Sequence, residues 1–287
     1  MQSGRAVRDI PLGALAGAVS GALGVGGGIV LVPLLVLFQK MEQKQAQATS
    51  LVMVAMAAVA GAMVYLVAGA VAWAAAAFVL IGSLVGALAG SALVQRTHNS
   101  VLQIAFAVVL VIAAVRLLWS PEQNPGLQAP SLTAGLGVAL VVVGLAMGLL
   151  SAMFGIGGGI VLVPVLTSLL GFGQYVAAGT SLAVMAPTAL LGAVRLTSPG
   201  LTQWDRGALL GLGGIVGGII GARLALALPV VIVTYLFAVL MVITAVRLAI
   251  KGWNDRGETG TAPPAAARGD GRERGGAGRS APAGDAG

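Results

Sequence analysis

The sequence predicts an all-α polytopic membrane protein built from two tandem four-segment repeats, and three observations lead there. Of the 287 residues, 58% are hydrophobic and only 9% are charged, at a mean hydropathy of +0.99. Soluble domains carry about 45–50% apolar and about 25% charged residues, so a soluble fold cannot cover this much apolar surface. Uncharged apolar runs of about 18 residues or more recur along the chain, each long enough to cross a hydrocarbon core of about 30 Å as a helix. Finally, the run from Gly26 to Pro33 (GGGIVLVP) returns letter for letter from Gly157 to Pro164, an offset of 131 residues.

That offset holds without a gap. It pairs Gly24 with Gly155, Thr49 and Ser50 with Thr180 and Ser181, Gly61 with Gly192, and Trp73 with Trp204. Gly82, Gly86 and Gly90 pair with Gly213, Gly217 and Gly221, Phe106 with Phe237, and Arg116 with Arg247. The chain therefore divides into membrane repeat 1 (9–120), a linker with the start of the next segment (121–139), membrane repeat 2 (140–251) and a tail (252–287).

The first apolar segment of each copy, 11–38 and 142–170, contains a glycine triplet. Glycine costs about 1 kcal/mol per residue in a helix interior, so Gly26–Gly28 and Gly157–Gly159 are natural points of interruption. Pro33 and Pro164 would kink the second arm and free a carbonyl. The second segments, 46–66 and 176–197, open on Thr49, Ser50, Thr180 and Ser181. Hydroxyls there serve either as N-caps, accepting from unpaired helix amides, or as the lining of an anion site. In the third segments, 71–94 and 207–228, glycines four apart form small-residue faces that let membrane helices pack closely. The fourth, 101–119 and 230–250, carry Arg116 and Arg247 near their ends. Snorkelling to the headgroups accounts for these two, and charge supplied to a substrate is the alternative. Beyond Lys251 the chain is rich in Gly, Ala, Pro, Arg and Asp, holds almost no large apolar residue, and is expected to be disordered.

Lys and Arg in short loops favour the cytoplasm. If every segment crosses once, the loops with Lys40, Lys44 and Arg96 fall outside. If the first segment of each copy enters and leaves on one side, the N-terminus with Arg5 and Arg8, the loops with Lys40, Lys44, Arg96 and Arg206, and the C-terminus all fall inside. The loops near 67, 125, 172 and 229 are then outside and lack Lys and Arg. Each copy makes three full crossings in that arrangement, so the copies are inverted. Eight plain crossings, with glycines serving helix packing, is the competing layout. Arg5 and Arg8 before an apolar run resemble a signal-peptide start, but no small-residue cleavage site stands out, and the segment is read as retained.

The absence of cysteine excludes disulfides, thiolate metal sites and thiol nucleophiles. Of the net charge of +7, all resides before residue 252, among membrane loops and helix ends, where orientation explains it better than nucleic acid does. No Asp or Glu lies within a predicted crossing, and the single histidine, His98, is in a loop. A buried carboxylate relay, a cation site, a metal or other cofactor, and enzymatic chemistry are therefore unsupported. Gly24–Gly28 lacks the following Lys and Ser/Thr of a P-loop, which argues against ATP-driven transport. Broken backbone inside a bilayer is tolerated only against protein or a water-lined cavity, and amides opening a half-helix offer hydrogen bonds and partial positive charge to an anion. The expected site therefore comprises Gly26, Gly27, Gly28, Thr49 and Ser50 with Gly157, Gly158, Gly159, Thr180 and Ser181, and Gln45, Arg116 and Arg247 as further candidates. Its ligand is a small anion, moved by a secondary transporter or, alternatively, by a passive anion channel.

The duplicated stretch from Gly24 to Pro33 and its copy from Gly155 to Pro164 resemble the sulfite exporter TauE/SafE family. Gln45-Ala46-Gln47-Ala48-Thr49-Ser50 is similar to that family's start of the second helix, whereas the second copy reads Ala177-Ala178-Gly179-Thr180-Ser181, without the glutamine. The resemblance covers roughly residues 9 to 251. It implies a permease of the plasma (cell inner) membrane that moves small sulfur anions, such as sulfite or organosulfonates, often outward. Its partners would be the lipid bilayer and the small anion, and self-association into a homo-oligomer is compatible with such a chain.

Overall fold

The computed structural model describes residues 2–98 and 133–227 continuously, with scattered positions between 100 and 131 and between 242 and 253. Arg116, Arg247 and nearly all of the tail lie outside the described residues. The two continuous stretches form eight helices and no strand: α1 (Gln2–Leu23), α2 (Gly28–Phe38), α3 (Gln43–Val67), α4 (Trp73–Arg96), α5 (Ala134–Phe154), α6 (Gly159–Ser168), α7 (Gln174–Arg195) and α8 (Trp204–Ala227). Five of them, α3, α4, α5, α7 and α8, are long and apolar enough to cross a membrane.

Helix starts recur at the same offset as the sequence. Gly28 and Gly159 open α2 and α6, Gln43 and Gln174 open α3 and α7, and α4 and α8 match at both ends. Each first segment is interrupted, between Leu23 and Gly28 and between Phe154 and Gly159. Gly24 and Gly155 sit at φ +66° and +69°, and Gly26 and Gly157 at +93° and +89°. Left-handed backbone of this kind costs other L-residues about 1–2 kcal/mol, which is why glycine stands there. The arms beyond the breaks, of 11 and 10 residues, rise about 15 Å, half the hydrocarbon thickness.

The glycine ladders set the helix directions. Built Cβ atoms on Gly82, Gly86 and Gly90 of α4 would strike the carbonyl oxygens of Val141, Leu145 and Leu149 of α5, so the two helices run parallel at backbone contact. The same is true of α8 and α1, where Gly213, Gly217 and Gly221 meet Ile10, Ala14 and Ala18. By contrast the equivalent helices α3 and α7 cross antiparallel, with Gly61 on Leu182 and Gly192 on Leu51. At the end of α2, Gln39 Nε2 donates to Asp9 Oδ1 at 3.2 Å. The second arm thus returns to the level of the start of α1, and the two arms form a hairpin open at one end of the bundle.

Two local expectations are corrected. Thr49, Ser50, Thr180 and Ser181 do not open or cap their helices: the N-cap positions are Glu42 and Gly173. Helix α3 starts before its apolar run because its first turn, Gln43–Ala46, packs inward against the bundle, and Gln43 and Ala46 are buried. Asp9, which precedes the expected first segment at 11–38, lies inside α1 at 1% exposure. A further difference is that α5 begins at Ala134, ahead of the run at 142, because the Thr133 hydroxyl accepts from the Leu136 amide at 3.3 Å.

Candidate functional site

The two breaks abut in the buried interior. A Cβ on Gly28 would fall on the carbonyl oxygen of Gly155, one on Gly159 on that of Gly24, and one on Gly26 on that of Ile156. All six residues of the glycine triplets are buried. Each triplet leads into a half-helix whose first-turn amides have no earlier helical carbonyl to bond. Among the hydrogen bonds of turns and caps, none is donated by the amides of Gly26, Gly27, Gly28, Gly157, Gly158, Gly159 or Ile160. Two clusters of buried N–H groups, each at the positive end of a half-helix, thus lie side by side.

The Ser and Thr pairs brace this arrangement. Ser50 Oγ donates across to the Gly155 carbonyl at 2.7 Å, and Ser181 Oγ to the Gly24 carbonyl at 2.7 Å. Thr49 Oγ1 accepts from the Gln203 amide at 3.2 Å, and Thr180 Oγ1 from the Ala72 amide at 3.0 Å. Every one of these bonds joins one copy to the other and has its equivalent at the 131-residue offset. Ser50 and Ser181 therefore reach the breaks, whereas Thr49 and Thr180 hold the connections that precede α8 and α4. Gln45 lies elsewhere: its Oε1 accepts from Gln203 Nε2 at 3.4 Å near the start of α3.

Sequence reasoning missed two groups. In the first, the Asp9 carboxylate accepts from Gln39 Nε2 and from Arg206 Nε, the latter at 3.3 Å in a salt bridge that joins α1 to α8. The second is a set of buried side-chain atoms without a hydrogen-bond partner: both amide atoms of Gln43 and of Gln47, the hydroxyls of Ser20 and Ser151, and Gln174 Oε1. Asp9 was hidden by its place at the edge of the apolar run. Gln47 has no polar counterpart in the second copy, where Ala178 stands; the signal that could have found it is a polar stripe of Gln43, Gln47 and Ser50, one helix face within an apolar segment.

Basic residues gather at one end of the bundle. Lys44 Nζ donates to the Gln95 carbonyl beside Arg96, Arg206 pairs with Asp9, and Lys40 follows Gln39. Arg195 closes α7 at this same end, since Gly192 meets Leu51 near the start of α3.

The family model described as "Sulfite exporter TauE/SafE" matches residues 10–267. The chain is 24% identical to the "Probable membrane transporter protein YunE" of Bacillus subtilis (strain 168), over 85% of this chain and 97% of that protein. It is 27% identical to a "Probable membrane transporter protein" of Xylella fastidiosa (strain Temecula1 / ATCC 700964), over 84% of this chain and 94% of the relative. No solved structure matches it.

Proposed function

The chain belongs to the sulfite exporter TauE/SafE family of membrane transporters, and from that premise we propose that it is a secondary transporter exporting small sulfur-containing oxyanions, such as sulfite or organosulfonates, across the plasma membrane. The observation that carries the proposal is the meeting of two buried, amide-rich breaks at the junction of the copies. The substrate binds there, held by the amides of Gly26–Gly28 and Gly157–Gly159, with Ser50, Ser181, Thr49 and Thr180 fixing the backbone that presents them.

The copies are inverted repeats. The antiparallel crossing of α3 and α7 supports this, as does the return of α2 to the level of Asp9. Rocking of one copy against the other exposes the shared site alternately to each side. The basic end of the bundle faces the cytoplasm, and both termini lie on that side. Single cysteines at Glu42 and Gly173, in this otherwise cysteine-free chain, are then expected to react with an impermeant thiol reagent from opposite faces of the membrane; reaction from the same face would sink the inverted arrangement.

The function itself is tested by uptake of radiolabelled sulfite into proteoliposomes, with sulfate and chloride as competitors. Saturable uptake that survives excess chloride and shows counterflow is the expected result. Uptake that neither saturates nor shows counterflow would identify a passive anion channel, and no uptake under any imposed gradient would remove sulfite as the substrate.

A further inference from the structure

Gln43, Gln47 and Ser50 occupy positions i, i+4 and i+7 of α3 and so share one face. Ser50 fixes where that face points, because its hydroxyl donates to the Gly155 carbonyl at the second break. Gln47 lies against the same spot: a Cβ on Gly155 would strike the Gln47 carbonyl oxygen and come within 2.7 Å of its Cα. Both glutamine side chains are shut away from solvent, Gln47 at 0% and Gln43 at 1% exposure, and neither amide nitrogen nor oxygen of either has a protein partner. The Ser151 hydroxyl, one turn before Gly155 on α5, is likewise buried and unpartnered. Burying an amide without a hydrogen bond is unfavourable, and Gln47 and Ser151 leave three such atoms beside the second break, with the two of Gln43 one turn further along α3. Around the first break the pattern is thinner, since Gln47 is matched by Ala178, which packs on Gly24.

We propose that Gln47, with Gln43 one turn toward the cytoplasmic end, hydrogen-bonds the transported oxyanion at the second glycine break, and that the site takes a monovalent anion. The proposal rests on the transporter reading above and names the residues and charge state that reading leaves open. The charge follows from what faces the breaks. None of the atoms nearest the built Cβ positions of the glycine triplets belongs to a charged side chain, and the positive potential comes from two half-helix N-termini of roughly half an elementary charge each. Together they balance about one negative charge and leave a dianion uncompensated. An amide also supplies both donor and acceptor. A singly protonated oxyanion such as hydrogensulfite uses both, its oxygens accepting from the amide N–H groups and its O–H donating to the amide oxygen.

The test compares wild type with Gln47→Met, which keeps chain length and removes the amide, in sulfite uptake and in thermal unfolding of the full-length protein in detergent. The expected KM for the variant is about tenfold higher, in line with the loss of a hydrogen bond to a charged group. Its ligand-free unfolding temperature is expected to stay level or rise, because no internal partner is lost, while about tenfold more sulfite is needed for the same stabilisation. Methanesulfonate should compete with sulfite in wild type and sulfate should not. An unchanged KM, or a ligand-free variant less stable than wild type, would overturn the role of Gln47 while leaving the transporter intact. Competition by sulfate equal to that by methanesulfonate would overturn the monovalent site. A wild-type protein neither transporting nor stabilised by any of these anions would overturn the transporter reading itself, and this inference with it.

Discussion

Gly26→Ala is expected to abolish sulfite uptake and to destabilise the protein by about 3 kcal/mol or more, by two effects that add at one residue. The left-handed backbone, at φ +93°, costs an alanine about 1–2 kcal/mol. The added methyl would also strike the carbonyl oxygen of Ile156 and lie 2.9 Å from the Met185 sulfur, where overpacking typically costs a further 1–3 kcal/mol or so. Gly171→Ala separates the two effects. Its φ is +71°, but a Cβ there meets nothing within 4 Å, so it should lose only the conformational part, about 1 kcal/mol, and keep its transport. Thermal unfolding and uptake measured on both variants decide the matter. Equal losses would mean that the break is an ordinary turn and that the close approach of the two copies is incidental.

Arg206→Ala is expected to cost about 3 kcal/mol, the lower end of what breaking a buried ion pair costs. The Asp9 side chain is only 2% exposed and Arg206 23%, so the damage comes from the carboxylate left behind with Gln39 as its one neutral partner. Replacing both Asp9 and Arg206 by leucine removes the stranded charge and should recover most of that loss. A double-mutant cycle on unfolding free energy measures this directly. If the double variant were as unstable as Arg206→Ala, the guanidinium would be acting through its packing instead of its charge.

The parts of this fold that could be read from the chain are those governed by repetition and by backbone chemistry. A triplet such as Gly26–Gly28 cannot sit quietly in a helix, and its duplicate at Gly157–Gly159 located both breaks. The ladders from Gly82 and Gly213 announced backbone-close packing, which is what α4 and α8 use against α5 and α1. What escaped depends on where helices end and which faces meet. Thr49 and Ser50 looked like the opening of a segment because hydropathy rises there, yet α3 starts six residues earlier at Gln43, with polar residues buried in its first turns. Asp9 stands two residues ahead of the apolar run that begins at residue 11, where nothing in the sequence marks it for burial. Its burial follows from the approach of α8 and of the end of α2, both remote in sequence. Gln47 stands in the same stretch as Gln45, and only the helix settles which of the two reaches the break: Gln47 shares a face with Gln43 and Ser50, whereas Gln45 turns to Gln203.

The exchanged bonds at the breaks also bear on how such a protein could have arisen. Ser50 is satisfied by Gly155 and Ser181 by Gly24, while Thr49 and Thr180 each take the amide that leads into a helix of the opposite copy. Helix α1 finds its parallel neighbour in α8 and α5 finds its own in α4, so neither half contains the partner of its own first helix. Under the inverted arrangement proposed above, a chain of half this length would lack the parallel neighbour of its own first helix and would find it only in a second copy lying the other way up.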